Sequence, residues 1–328
     1  MRDPDTTRHD LGVHPDLRDA LQAYRNSVGE GGLGAIVDVP ERRRVFGEFS
    51  RRGAEGRVRP PGLDVRSYDI AGTAGAPDVA ARLYRPRTGV AELLPVWIYV
   101  HGGGMVLGDL DSSDLAAAHL AADSGCAILS VDYRLAPEHR FPRQVDDCEA
   151  ALTWLRDQAE GLRLDRERIG VYGVSAGGAI AASLALRLRG DDERAIAKQI
   201  LIYPMLDDRS SVDPTTPDAP AGTWSHVANA RAWQDYLGPA AATGGPPAGA
   251  VPARAESLAG LPPTYLEVGS IDILAAETLA YARRLVTDGV ATEFHLHPGA
   301  YHAFDAMAPG SGVGLAARAS RLRAMTQM

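Results

Sequence analysis

A serine flanked by glycines stands where a short apolar run gives way to an alanine-rich stretch. Residues Gly173–Gly177 are Gly-Val-Ser-Ala-Gly, and they directly follow the strand-like run Ile169–Tyr172. A G-x-S-x-G turn between a strand and a helix presents a serine hydroxyl at a sharp bend and at a helix N-terminus. This context predicts that Ser175 is a nucleophile. Without the strand before it and the helix after it, the same motif would be a glycine-rich packing segment.

A glycine run follows another apolar stretch. His101–Gly104 comes directly after Val96–Val100. Because glycine has no side chain, its backbone amide can approach a ligand closely. Amides held in this way can stabilise the oxyanion of a tetrahedral intermediate. We predict that Gly102 and Gly103, with the amide of Ala176, form an oxyanion hole.

A serine hydroxyl needs a base that takes its proton and an acid that orients the base. After a strand–serine–helix turn of this kind, the chain order is Ser, then Asp or Glu, then His. Asp272 follows the strand-like run Thr264–Val268, and His302 lies in a loop after Thr292–Leu296. We therefore predict Asp272 as the orienting acid and His302 as the general base.

Other histidines and acids compete for these roles. His295 and His297 lie two apart within one predicted strand, so they share a face and are expected to pack or to lie at the surface. His101 is expected to hydrogen-bond within its own glycine loop. The remaining acidic candidates lie in mid-strand or beyond the loop apexes: Glu267, Glu277 and Asp305.

The elements that must position these residues alternate between strands and helices. Short β-branched or aromatic runs between turn signals are typical of strands buried on both faces. Alternation with helices indicates a mostly parallel central sheet with helices on both faces. The predicted strands are Val65–Ile70, Val79–Tyr84, Val96–Val100, Ala127–Val131, Ile169–Tyr172, Ile200–Tyr203, Thr264–Val268 and Thr292–Leu296. The predicted helices include Ser175–Leu188, Ala275–Asp288, one near Leu315–Met325 and one that carries Val145, Cys148, Leu152 and Leu155.

Two segments depart from this alternation and divide the chain. Residues 1–55 favour two short amphipathic helices around Gly29–Gly34, which we expect to form an N-terminal cap segment; a loosely held tail is the alternative. Residues 206–257 contain Pro-, Ala- and Gly-rich stretches around a helical island, and they are predicted to be an inserted cap or lid. A surface excursion with a small core of its own is the alternative. The predicted core is then split into residues 56–205 and 258–328.

Together these motifs resemble the hormone-sensitive lipase family of α/β-hydrolases. The block His101–Asp109 is similar to that family's HGGG region, and Asp132–Pro142 (DYRLAPEHRFP) is similar to its most distinctive internal stretch. A finer likeness is to bacterial carboxylesterases of the heroin-esterase type. The resemblance covers about residues 60–305. It implies the α/β-hydrolase fold with a helical cap and a Ser175–Asp272–His302 triad. No Cys/His cluster has the spacing of a zinc site, so no metal ion and no cofactor are expected.

The resemblance also implies an activity. It points to a serine carboxylesterase that hydrolyses short- to medium-chain acyl esters through an acyl-enzyme on Ser175. Met105, Val174 and Trp224 are expected to contact the substrate, and Met105 stands where the family usually has an aromatic residue. The same triad could instead deacetylate a natural product, cleave an amide or transfer an acyl group. A non-catalytic ligand receptor on this fold is a further alternative, against which the presence of His302 argues.

The distinctive internal stretch is expected to support the site rather than to react. Asp132, Tyr133, Arg134 and Glu138 are expected to form a buried Asp–Arg or Glu–Tyr network that holds the oxyanion loop. Asp146 and Asp147 are expected at a helix start, where acidic side chains are favoured.

Composition restricts the partners. The 34 basic and 42 acidic residues leave a net charge of −8, so no nucleic-acid partner is expected. No apolar run reaches the roughly 18 residues that span a bilayer, so no integral membrane association is expected.

The N-terminal residues lack an apolar signal segment, which makes the cytoplasm the expected location. Two cysteines indicate no disulfide framework. The expected partner is a small acyl ester, and a homodimer is left open.

Overall fold

The computed structural model describes residues 12–87, 93–210, 220, 222–239 and 241–328. The predictions that concern residues 1–11 and 211–219 lie outside the described residues. Within the part of the chain that is described, no helix is both long and apolar enough to cross a membrane.

An eight-stranded sheet forms the centre of the described structure, in the order β1-β2-β4-β3-β5-β6-β7-β8. Strands β1 and β2 pair antiparallel, as do β2 and β4, and every further pair is parallel. The strands are β1 (Leu63–Ile70), β2 (Val79–Pro86), β3 (Leu94–Val100), β4 (Ala127–Val131), β5 (Leu164–Val174), β6 (Gln199–Ile202), β7 (Thr264–Gly269) and β8 (Thr292–His297). The predicted mostly parallel sheet is confirmed, and each predicted strand overlaps an observed one.

Helices cover the sheet and extend beyond it. The longer ones are α1 (Arg18–Val28), α2 (Val39–Ala54), α3 (Asp114–Ser124), α4 (Arg143–Leu162), α5 (Ala176–Arg187), α6 (His226–Leu237), α7 (Ala275–Thr287) and α8 (Gly312–Thr326). Single turns lie at Ala241–Gly244 and Phe304–Met307. Helix α3 was not predicted. Its alanines lie on every side of the helix, so no apolar stripe marks it in the sequence.

The core lies on both faces of the sheet. Neighbouring residues of β3 point to opposite faces, as the period of a strand requires. Ile98 belongs to a buried cluster with Leu152 of α4. Trp97 belongs to a second cluster, with Ala117 of α3 and Met325 of α8. The prediction of helices on both faces is confirmed.

The N-terminal segment and the inserted segment pack against each other. A Cβ atom at Gly32 would lie 2.1 Å from the carbonyl oxygen of Gly222. Arg231 of α6 donates a hydrogen bond to the carbonyl oxygen of Gly34 at 3.1 Å. The backbones approach closely where glycine leaves room, so the two segments contact each other directly. The domain boundaries drawn from the sequence stay predictions.

Candidate active site

Ser175 occupies the turn between β5 and α5. Its backbone lies in the left-handed region with φ 54°, which residues other than glycine rarely adopt. A Cβ atom at Gly173 would lie 2.4 Å from the carbonyl oxygen of Gly177. A Cβ atom at Gly177 would lie 2.1 Å from that of Val100. The close contacts explain why glycine stands on both sides of this strained serine.

Three side chains from three loops meet at this turn. Ser175 Oγ lies 2.9 Å from His302 Nε2, and His302 Nδ1 lies 2.7 Å from Asp272 Oδ2. The other oxygen of the Asp272 carboxylate accepts a hydrogen bond from the amide of Leu274 at 3.0 Å, which orients it. Because Nδ1 faces a carboxylate, that nitrogen carries the proton and Nε2 is free to accept one. The residues predicted as nucleophile, base and acid are thus brought together, and their catalytic roles stay predictions.

The glycine loop after β3 lies against the serine turn. A Cβ atom at Gly102 would lie 3.3 Å from the Cβ atom of Ser175. Gly103 has φ 121°, and a Cβ atom there would lie 2.2 Å from the carbonyl oxygen of Leu107. Among the described residues, no acceptor pairs with the amides of Gly102, Gly103 or Ala176. The amides predicted for the oxyanion hole are therefore available to a ligand.

His101 is part of the support beneath this loop. Its Nδ1 lies 2.8 Å from the carbonyl oxygen of Gly102, and its ring stacks on Tyr133 with centroids 4.2 Å apart. Tyr133 donates a hydrogen bond to the carbonyl oxygen of His101 at 2.9 Å. Burial lowers the pKa of His101 to about 4, so its ring is neutral at pH 7. The prediction that His101 bonds within its own loop is confirmed.

The ion pairs around the internal stretch differ from those predicted. Arg134 pairs with Asp147 at 2.6 Å, and it does not pair with Asp132. Helix α4 begins at Arg143, so Asp147 lies one turn inside the helix and points its buried carboxylate at the loop. Burial, with the negative charges of neighbouring acids, raises the pKa of Asp132 to about 6.

Glu138 also has a different partner, because it reaches the N-terminal segment instead of a tyrosine. Arg43 of α2 pairs with Glu138 at 2.8 Å. The same guanidinium donates to the carbonyl oxygens of Val106 at 2.9 Å and Ala136 at 3.0 Å. Sequence reasoning missed Arg43, which no motif marks. Of the two networks predicted, a buried Asp–Arg pair is present, with Asp147 as its acid, and Glu138 bonds to an arginine from outside the sheet and not to a tyrosine.

The three residues predicted to contact substrate have different surroundings. Trp224 lies beside the site: its ring centroid is 6.1 Å from that of His302. Val174 is half-buried next to Ser175. Met105 is completely buried in the core, and its carbonyl oxygen accepts a hydrogen bond from the amide of Ala136 at 2.9 Å. All three contacts with substrate stay predictions.

The other histidines and acidic residues considered for the roles of base and acid have hydrogen-bond or ion-pair partners elsewhere. His295 pairs with Glu293 at 2.6 Å. Glu277 accepts a hydrogen bond from the amide of Leu206 at 2.6 Å. Glu267 and Asp305 both contact Arg321. Among the described residues, no group of three His, Cys, Asp or Glu side chains is arranged to hold a metal ion.

Comparison with known proteins identifies the family. The sequence profile of the family described as alpha/beta hydrolase fold matches residues 97–306. The chain belongs to this family. The resemblance to hormone-sensitive-lipase-like α/β-hydrolases is thereby confirmed.

Relatives of this α/β-hydrolase carry esterase names. Esterase LipI of Mycobacterium tuberculosis is 37% identical over 72% of this chain and 74% of its own length. Ethyl acetate hydrolase of Pseudomonas putida is 33% identical over 90% of this chain and 92% of its own. Among solved structures, a bacterial heroin esterase superposes with a TM-score of 0.88 at 33% identity, over 97% of this chain and 98% of that chain. The prediction of a carboxylic ester hydrolase agrees with these relatives and is confirmed at the level of the family.

Proposed function

We propose that this α/β-hydrolase is a serine carboxylesterase that hydrolyses short- to medium-chain acyl esters through an acyl-enzyme on Ser175. The observation that carries the proposal is the continuous hydrogen-bonded chain Ser175–His302–Asp272 beside amides that have no acceptor among the described residues. This arrangement of nucleophile, base, acid and amide donors is what acyl transfer requires.

Acylation begins at the serine. His302 Nε2 takes the proton of Ser175 Oγ as that oxygen attacks the ester carbonyl carbon. The carbonyl oxygen becomes an oxyanion, which the amides of Gly102, Gly103 and Ala176 stabilise. The carbon–oxygen bond to the alcohol then breaks, and the alcohol leaves with the proton from His302. Water repeats the sequence on the acyl-enzyme and releases the acid.

The surroundings suggest how the site is enclosed. Ser175 is 6% exposed and His302 is 8% exposed, although both must reach substrate. We assign the residues described within 1–55 and 206–257 to a cap over the site. Trp224 of this cap is proposed to contact the substrate, together with Val174 and Met105 of the hydrolase core. The proposed partner is a small acyl ester in the cytoplasm, and a homodimer is left open.

Hydrolysis of p-nitrophenyl esters from acetate to laurate tests the proposal. Wild type is compared with Ser175→Ala and with Ser183→Ala, a matched substitution at a buried serine of α5. We expect wild type to turn over the shorter esters. Removal of the nucleophile should lower kcat by about 10⁴-fold or more. Ser183→Ala should retain activity.

Two results would contradict the proposal. Full activity of Ser175→Ala would reject the nucleophile. A folded wild type that is inert on every ester would reject simple ester hydrolysis, and aryl amides and acyl acceptors would then be assayed in its place.

A further inference from the structure

We propose that Tyr203 is a positioning residue for His302, held by a buried charged cluster of Glu267, Asp305 and Arg321. The inference rests on the proposed function, because it assigns His302 the work of a base. It concerns residues that no motif in the sequence marks as part of the site.

The backbone of Tyr203 is tied to the serine turn. Tyr203 directly follows β6 and has φ 33°, in the left-handed region that is costly for a bulky residue. Its amide donates a hydrogen bond to the carbonyl oxygen of Glu267 at 2.7 Å. The amide of Ser175 donates a hydrogen bond to the carbonyl oxygen of Ile202 at 2.9 Å, and the carbonyl oxygen of Ser175 accepts one from the amide of Met205 at 3.1 Å. The strained turn at Tyr203 is therefore joined to the nucleophile on both sides.

The side chain of Tyr203 reaches the base. Its ring meets the ring of His302 edge-on, with centroids 4.9 Å apart and planes at 66°. Its hydroxyl donates a hydrogen bond to Asp305 Oδ1 at 3.0 Å. Burial raises the pKa of Tyr203 well above the ordinary value, so the hydroxyl remains a donor. A ring fixed at its backbone and at its hydroxyl limits the tilt of the imidazole.

A charged cluster fixes Asp305 in turn. Arg321 of α8 contacts Asp305 Oδ2 through one nitrogen and Glu267 Oε1 through another. Tyr265 donates to Glu267 Oε2 at 2.6 Å, and His297 Nε2 lies 3.8 Å from the same oxygen. Burial by itself would raise the pKa of Glu267, but the positive charge of Arg321 and the hydrogen bonds from His297, Arg321 and Tyr265 together lower that pKa to about 2. Both partners therefore stay charged inside the protein.

A contribution to folding stability is by itself a weak explanation for a buried cluster of charges. Buried ion pairs are often no more stabilising than apolar residues of the same volume, because the charges lose their hydration. Asp305 lies three positions after His302, so the cluster holds the loop that carries the base and, through Tyr203, the edge of its ring. The cluster therefore serves to orient the base. Loss of orientation should slow proton transfer more than it weakens substrate binding.

Tyr203→Phe tests the inference, since it removes only the hydroxyl. Its matched control is Tyr84→Phe, because Tyr84 is also buried and donates to a carboxylate, Asp114 Oδ1, at 2.6 Å. The kcat and KM for p-nitrophenyl butyrate are measured together with the rate at which a p-nitrophenyl alkylphosphonate labels Ser175. We expect Tyr203→Phe to lower kcat and the labelling rate about 10-fold, with KM changed less than about twofold. Tyr84→Phe should leave all three within about twofold.

A pair of variants at Arg321 tests the cluster itself. Arg321→Met should lower kcat as far as Tyr203→Phe does, and Arg321→Lys should restore part of the loss because it keeps the charge. Thermal unfolding of each variant separates loss of structure from loss of rate.

The outcomes are distinct from those of the proposed function. If Tyr203→Phe or Arg321→Met keeps wild-type kcat and labelling rate while its melting temperature falls, the cluster is structural only and the inference is overturned. If wild type neither hydrolyses the ester nor is labelled at Ser175, the proposed function fails and this inference fails with it. A failure of the proposed function is therefore visible in wild type alone, before any variant is measured.

Discussion

The indole of Trp224 lies directly against Gly104. A Cβ atom at Gly104 would lie 2.9 Å from Cη2 of the indole. The indole nitrogen donates a hydrogen bond to Asn229 Oδ1 at 3.1 Å, which fixes the ring to α6. Gly104 belongs to the oxyanion loop and Trp224 to the inserted segment. A residue from outside the sheet therefore contributes to the wall of the candidate site.

Replacement of Trp224 by alanine should lengthen the acyl chain that the site accepts. The indole occupies space between Gly104 and His302, so its removal opens room in the pocket. We expect the optimum among p-nitrophenyl esters to move to chains longer by about two to four carbons, since each methylene that enters the opened space contributes about 0.8 kcal/mol. Trp154→Ala is the control, since Trp154 of α4 packs on Tyr68 instead. An unchanged chain-length profile would exclude Trp224 from the wall.

Gly104→Ala should impair the site through a collision rather than through backbone strain. Gly104 has φ 62° and Gly249 has φ 79°, so alanine costs about 1 kcal/mol or more of backbone strain at either position. A Cβ atom at Gly249 would meet nothing within 4 Å. We expect kcat/KM for p-nitrophenyl acetate to fall about 10-fold in Gly104→Ala, and to stay near wild type in Gly249→Ala.

The double variant Gly104→Ala/Trp224→Ala checks this explanation. Removal of the indole should relieve the collision and recover activity relative to Gly104→Ala. Equal losses in the single and double variants would mean that strain in the loop, not contact with Trp224, causes the effect.

Arg43→Ala should loosen the oxyanion loop from a distance. Arg43 joins α2 to the carbonyl oxygens of Val106 and Ala136 and to Glu138, and its loss leaves these acceptors without the guanidinium. We expect kcat/KM to fall about fivefold. Hydrogen exchange should accelerate in residues 101–108. Arg44→Ala is the matched control on the same helix, because Arg44 is exposed and pairs with Glu41 and Glu48 of that helix. Equal effects of the two variants would contradict a specific role for Arg43.

Glu277→Gln should make stability less dependent on pH. Burial raises the pKa of Glu277 to about 8, above its value in an unfolded chain. The folded protein then keeps a proton that the unfolded chain releases, so the stability from this group is complete at acid pH and is lost as pH rises towards 8. Relative to Glu277→Gln, wild type should lose up to about 1.4 kcal/mol of unfolding free energy per pH unit between about pH 5 and 8.

Urea unfolding at several pH values measures this difference. Glu160→Gln, at an exposed position of α4, is the control and should follow wild type. Parallel pH dependence of wild type and Glu277→Gln would show that Glu277 does not titrate in this range. Because Glu277 accepts from the amide of Leu206, the same variant tests how firmly α7 holds the start of the inserted segment.

Much of the candidate site could be predicted because its signals are local. Ser175 is predicted from the glycines that its own turn requires. A Cβ atom at Gly173 or Gly177 would lie within about 3 Å of backbone atoms, which is closer than real Cβ atoms approach. Asp272 and His302 were found from their order after predicted strands. The carboxyl ends of parallel strands meet at one edge of a sheet, so loops distant in sequence come together there.

The remaining features depend on partners that sequence patterns do not name. The predicted network was limited to residues of the stretch Asp132–Glu138, but Arg134 pairs with Asp147, because α4 turns that carboxylate towards it. Arg43 and Arg321 belong to helices whose packing is set by apolar neighbours. Each meets its partners across the fold, and arginine is common enough in this chain that no single one is conspicuous.

The α/β alternation, the serine turn, the glycine loop and the order of the three candidate catalytic residues can therefore be predicted from the amino-acid sequence. These follow from backbone sterics and from the periodicity of apolar residues, which act over a few positions. Three features are visible only in the tertiary structure. They are the contact of Trp224 with the oxyanion loop, the hydrogen bonds of Arg43 to that loop, and the charged cluster of Glu267, Asp305 and Arg321. These depend on how helices from distant parts of the chain pack on one sheet, where the position of a charged side chain is a result of packing and not of its neighbours in sequence.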